Sequence, residues 1–145
     1  MLDIGVQAPD FSVFDHNGNK VNLKDFRGKK IVLWFYPRAD TPGCTIEGQA
    51  FRDQFKRFQD KDVLVFGVSL DTQGENKSFA EKFSFPFPLL CDVKREISIA
   101  YKAIGGQDDK YAARISYVIG KDGKIAEAIE KVDVKSHASD LCSRL

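Results

Sequence analysis

The sequence has no CxxC pair, no excess of either charge and no long apolar run, and each absence removes a class of function. There are 22 lysines and arginines against 21 aspartates and glutamates, so no one-signed surface calls for nucleic acid or an anionic membrane. The longest unbroken apolar run, Ile31 to Tyr36, is six residues, where a membrane-crossing helix needs about 20. Asp3, Gly5, Pro9, Asp10 and Asp15 interrupt the start of the chain, leaving neither the apolar region of a signal peptide nor an Arg-rich transit pattern. A cytoplasmic protein is expected. Three cysteines, Cys44, Cys91 and Cys142, have neither the number nor the spacing for a disulfide framework or a zinc site. No metal or other cofactor is expected, and each thiol must be judged by its own surroundings.

What is present is a regular alternation. At 145 residues the chain suits one domain, 1–145, with one core. From residue 30 onward apolar runs and helical periodicity take turns, the mark of an α/β fold. Lys30 to Tyr36, apolar after its first position, predicts a central strand buried on both faces. A helix follows, with Ile46, Ala50, Phe51, Phe55 and Phe58 as its core stripe. Further strands are expected at Val63 to Leu70, Phe87 to Cys91, Arg114 to Ile119 and Ile125 to Glu130. Helices are expected around Phe79 and Phe83, from Ile97 to Ile104, and from Ser136 to Leu145. Phe11 to Phe14 and Val21 to Leu23 flank a turn-rich segment and predict an N-terminal hairpin covering a sheet edge. The expectation is a mixed central sheet with helices on both faces.

The segment Tyr36-Pro37-Arg38-Ala39-Asp40-Thr41-Pro42-Gly43-Cys44 joins the central strand to the long helix. Thr41 is a favoured cap type and Pro42 a favoured first helical residue, which places Cys44 in the first turn. Unpaired amides and the helix dipole favour an anion there. An ordinary thiol, of pKa about 8.5, is only about 3% ionised at pH 7, so a reactive thiolate needs a shift of roughly 3 kcal/mol. A helix end supplies about 0.3 to 1 kcal/mol at an exposed site. A cation must supply much of the rest, and Arg38 and Arg114 are the candidates. From position alone, a reactive thiol and a small buried hydrophobe are equally good readings of Cys44.

The pattern Pro37-x-x-x-Thr41-x-x-Cys44 resembles the active-site signature of the peroxiredoxins. Ala8-Pro9-Asp10-Phe11, Phe85-Pro86-Phe87-Pro88-Leu89-Leu90 and the stretch from Arg114 to Gly123 are similar to the same family. The nearest branch is the bacterioferritin-comigratory, or peroxiredoxin Q, type. The resemblance implies a thioredoxin-like fold and a thiol-dependent peroxidase acting on hydrogen peroxide or organic hydroperoxides. Cys44 would be the attacking thiolate, becoming a sulfenic acid. Thr41, the Cys44 amide and Arg114 would donate to the reacting oxygens, Pro37 would shield the sulfur, and Glu47 would support the arginine.

Two resolving positions usual in this branch, five residues after the attacking cysteine and on the next helix, carry Gln49 and Ala80. A one-cysteine mechanism is therefore expected, with thioredoxin, glutaredoxin or glutathione as the thiol reductant, in a monomer or homodimer. Cys91 is the alternative resolving thiol if its strand ends beside Cys44. Cys142, on a face with Ala138, Leu141 and Leu145, reads as a core thiol. A peroxide sensor without turnover remains open, while a disulfide reductase is opposed by the missing CxxC.

Overall fold

Alternate residues of the central strand enter two different cores. In the computed structural model, which describes residues 1–145, β3 (Lys30–Phe35) sends Ile31, Leu33 and Phe35 to one face and Val32 and Trp34 to the other. All five are buried, as the two-residue period of a strand covered on both sides requires. β4 (Val63–Ser69) runs parallel to β3, and β5 (Leu89–Cys91) runs parallel to β4. On the other side β6 (Ile115–Ile119) is antiparallel to β3, and β7 (Ile125–Ile129) is antiparallel to β6. The order is β5-β4-β3-β6-β7, a mixed sheet.

Helices α1 (Pro42–Asp60), α2 (Gln73–Phe83) and α4 (His137–Arg144) pack Phe51, Phe58, Phe79, Ala80, Leu141 and Cys142 against one face. The short α3 (Glu96–Ala100) packs Ile97 on the other. The hairpin β1 (Ser12–Phe14) and β2 (Lys20–Asn22) meets the edge strand through an Asp15–Leu90 bridge. The expected mixed sheet, flanking helices and N-terminal hairpin are all present. No helix is long and apolar enough to cross a membrane.

Three details depart from the sequence reading. β5 starts at Leu89 rather than Phe87, because Pro88 has no N–H to give the ladder and contributes only its carbonyl, to Gly67 N at 3.1 Å. α3 stops at Ala100 rather than running to Ile104. Lys102 turns left-handed at φ 59°, and the Tyr101 hydroxyl is drawn instead to the Pro9 carbonyl at 2.6 Å. The inward face of α1 is also rotated. Ile46 is 37% exposed, while Cys44, Glu47, Gly48, Phe51 and Phe58 are buried. These positions follow the i, i+3, i+4, i+7 rule, but the stripe contains a carboxylate that hydrophobicity alone assigns to solvent.

Candidate active site

The carboxyl end of β3 delivers the chain into a loop that the rest of the fold holds from several sides. Ala39 N donates to Asp71 Oδ2 at 2.7 Å, tying the loop to the β4–α2 connection. Asp40, left-handed at φ 60°, pairs with Lys82 of α2 at 3.0 Å. Thr41 occupies the N-cap position and Pro42 opens the helix, as expected. The Thr41 hydroxyl, however, accepts nothing from the helix. It donates to the Arg38 carbonyl at 2.7 Å, which closes the loop on itself and leaves the oxygen lone pairs free to accept. Pro37 is half-buried at the start of this loop.

Cys44 is the third helical residue and is fully buried, so its amide has no acceptor within the helix. Of the two candidate cations, Arg114 is the one at the sulfur, with Nη2 3.5 Å from Cys44 Sγ. Arg38 is exposed, and its part in the loop is played by its carbonyl. Arg114 sits immediately before β6 rather than inside it. The antiparallel β3–β6 pairing, with Phe35 opposite Ile115, therefore brings it to the end of β3 from which the Cys44 loop leaves.

Behind the arginine lies Glu47, one helical turn on from Cys44 and fully buried. Arg114 Nη1 donates to Glu47 Oε1 at 2.8 Å, while Glu47 Oε2 has no partner. Burial pushes the Glu47 carboxyl up to about 7, against the hydrogen bond and charge of Arg114, which hold it down. For Arg114 desolvation opposes the charge, but the contacts with Glu47 and Cys44 outweigh it and keep the guanidinium protonated. A positive donor, itself partly exposed, thus faces a fully buried sulfur, where a charge acts more strongly than it does in bulk water.

Gly43 makes that approach sterically feasible. A Cβ at this position would stand 2.8 Å from Arg114 Nη2, closer than real contacts allow. Gly43→Ala raises helix propensity by about 1 kcal/mol yet displaces the guanidinium from the thiol. The expected result is unchanged or slightly higher thermal stability with peroxide reduction slower by about tenfold or more. Stopped-flow kinetics and thermal unfolding on the same sample check both signs.

Cys91 lies at the same edge of the sheet but is separated from β3 by β4, across which it pairs with Ser69. Its sulfur accepts from Asn76 Nδ2 at 3.4 Å, and the same amide accepts from the Tyr36 hydroxyl at 2.6 Å. Burial raises the Cys91 thiol, although the Asn76 hydrogen bond lowers it. Tyr36, Ser69 and Asn76 form a buried polar cluster that the sequence reading missed. Tyr36 looked like one more apolar strand residue, and nothing marked Asn76 among the polar residues of α2. Cys142 is fully buried in the core against Ala138 and Leu141, as expected.

A thiol at a helix start with a guanidinium beside it is common to several thiol enzymes, so relatives decide the family. Residues 4–128 match the AhpC/TSA family model. Peroxiredoxin Bcp of Bacillus subtilis is 36% identical over 149 aligned residues, covering 99% of this chain and 95% of the relative. The crystal structure of PrxQ from Xylella fastidiosa superposes with a TM-score of 0.92 at 27% identity, covering 99% of this chain and 95% of that one. The bacterioferritin comigratory protein of Xanthomonas campestris gives 0.89 at 26% identity, covering 98% and 96%. With the fold, the signature loop and the full-length match in agreement, the chain belongs to the AhpC/TSA family, as a peroxiredoxin of the Bcp and PrxQ kind.

Proposed function

We propose that this peroxiredoxin reduces hydrogen peroxide and organic hydroperoxides through a Cys44 thiolate, by a one-cysteine cycle and with a soluble thiol as reductant. The observation that carries the proposal is the Arg114 guanidinium 3.5 Å from Cys44 Sγ at the first turn of α1. The sulfur attacks one peroxide oxygen, the O–O bond breaks, and sulfur is oxidised to a sulfenic acid while water or an alcohol leaves. Charge builds on the departing oxygen, and Arg114 and the free Cys44 amide are the donors placed to receive it. In this reading Thr41 holds the peroxide through its free lone pairs, and Pro37 limits water at the sulfur. Glu47 fixes the arginine. The Xanthomonas campestris relative is described with alkyl peroxide reduction activity, which favours including organic hydroperoxides among the substrates.

Thioredoxin, glutaredoxin or glutathione in the cytoplasm would then attack the sulfenic sulfur and restore the thiol, with the protein acting as a monomer or homodimer. The sheet order supports recycling without Cys91. β3, which leads into the Cys44 loop, lies two strand spacings from β5, about 9.5 Å. Disulfide-linked Cα atoms lie within about 7 Å, so a Cys44–Cys91 bond requires the loop or helix to unwind. The Asn76 amide also occupies the Cys91 sulfur. Cys91→Ser is expected to leave both the peroxide rate and the turnover with external thiol within about twofold of the parent. One equivalent of peroxide followed by disulfide mapping tests the same point. A rapid Cys44–Cys91 bond in monomeric protein would replace this cycle with a two-cysteine one. Consumption of a single equivalent despite excess reductant would make the protein a sensor.

A further inference from the structure

Cys44, Arg114 and Glu47 place one partly exposed positive group between two fully buried acids. Glu47 is fully buried, its Oε1 is 2.8 Å from Arg114 Nη1, and Cys44 Sγ is 3.5 Å from Nη2 of the same guanidinium. Ionising both acids leaves one buried negative charge uncompensated, and Glu47 Oε2 has no donor to soften that cost. Two acids that share one cation titrate as a pair, so ionising one raises the proton affinity of the other. We infer that Glu47 holds a proton while Cys44 is a thiolate and loses it when the sulfur is oxidised, so that the site stores the proton its reaction consumes.

The inference rests on the peroxidase reading above and deepens it. In net terms the thiolate of Cys44, the carboxylic acid of Glu47 and R–OOH become the sulfenic acid of Cys44, the carboxylate of Glu47 and R–OH. A sulfur–oxygen bond forms as the oxygen–oxygen bond breaks. Sulfur loses two electrons to the peroxide, and the departing alkoxide gains a proton equivalent to the one Glu47 gives up. The neutral sulfenic acid no longer competes for Arg114, so the carboxylate then takes the guanidinium to itself. Coupling of this kind is reciprocal, and a charge on Glu47 likewise disfavours the thiolate.

The surroundings leave Glu47 as the group able to serve. Its burial pushes it up to about 7. Two further titratable groups buried on this face, Tyr36 and His137, are neutral near that pH. Tyr36, after β3, is raised far above its ordinary value by burial. His137, on α4, is lowered to about 4, chiefly by burial and further by Arg144, against Asp140.

The test counts protons. Reduced protein in weak buffer near neutral pH receives one equivalent of hydrogen peroxide without reductant. An indicator dye follows protons, ultraviolet absorbance follows thiolate loss, and a sulfenic-acid trap follows the product. The parent is expected to take up clearly less than one net proton per thiolate consumed, and Glu47→Gln, which cannot store one, is expected to take up one. Infrared difference spectra of the parent should also lose a protonated-carboxyl band on oxidation, and Glu47→Gln should lack that change. One proton taken up per thiolate by the parent, or no carboxyl band lost, overturns the inference while leaving the peroxidase reading in place. Absence of any trapped sulfenic acid overturns the peroxidase reading itself.

Discussion

Cys44→Ser protein, supplied with peroxide and excess thiol, is expected to consume peroxide at the background rate, a loss on the order of 10⁴-fold or more. The substitution keeps the shape of the side chain, so the effect isolates chemistry. A serine hydroxyl does not ionise near neutral pH even beside Arg114, and its oxygen is a poor nucleophile toward another oxygen. The residue lies fully buried at the third position of α1 with only the arginine as polar partner. A hydroxyl fits that partner as well as a thiol does, and thermal unfolding is expected to move by less than about 1.5 kcal/mol. Peroxide consumption by Cys44→Ser within about tenfold of the parent would transfer the chemistry to Cys91 or Cys142. Both are placed against that: Cys91 beneath Asn76, and Cys142 in the core between α4 and the sheet.

The sheet was legible in the sequence because its residues are apolar in the period their environment demands. The six-residue run from Ile31 to Tyr36 has no polar residue to place in solvent, and a strand with none must be covered on both faces. The start of α1 was legible for a different reason. Thr41, Pro42 and the strand before them encode a turn into a helix locally, without help from the rest of the chain. The family resemblance then singled out Arg114 from the two candidate cations, a residue 70 positions beyond Cys44 that no local pattern could bring to it.

The parts that were misread depend on partners distant in sequence. Glu47 sits on the buried stripe of α1 because Arg114 arrives from the start of β6 to donate a hydrogen bond to it. Periodicity weights a carboxylate as a solvent residue and so rotated the stripe toward Ile46. Thr41 was placed correctly as a cap position, but its hydroxyl turns to the Arg38 carbonyl, a choice made by the left-handed turn at Asp40 between them. α3 was drawn too long for a similar reason. Tyr101 and Ile104 have the right spacing for a helical face, yet Tyr101 is held by Pro9 and by Tyr117, whose hydroxyl reaches the Tyr101 carbonyl at 2.6 Å. Helical spacing shows which residues face the core and does not show where tertiary hydrogen bonds end the helix.

Arg114→Ala is expected to slow peroxide reduction by on the order of 10²-fold or more. It also strands Glu47, and the two consequences separate with pH. In the parent the Glu47 carboxyl rises from 4.5 to about 7 on folding, so the folded state binds its proton more tightly than the unfolded state. Its contribution is most favourable below 4.5 and is lost as pH rises toward 7, a loss of about 3 kcal/mol. Removing the guanidinium raises the folded value further, and the loss then continues into the alkaline range. The stability deficit of Arg114→Ala is therefore expected to be small near pH 5 and to grow steadily above about pH 7, as read from denaturant midpoints across that range. Adding Glu47→Gln to Arg114→Ala removes the buried charge, so the double variant should lose the alkaline deficit and keep the slow peroxide kinetics. If recovery of stability also restored the rate, Arg114 would be acting as a structural counter-ion to Glu47. A rate that stays low in a stable protein assigns the arginine to the sulfur.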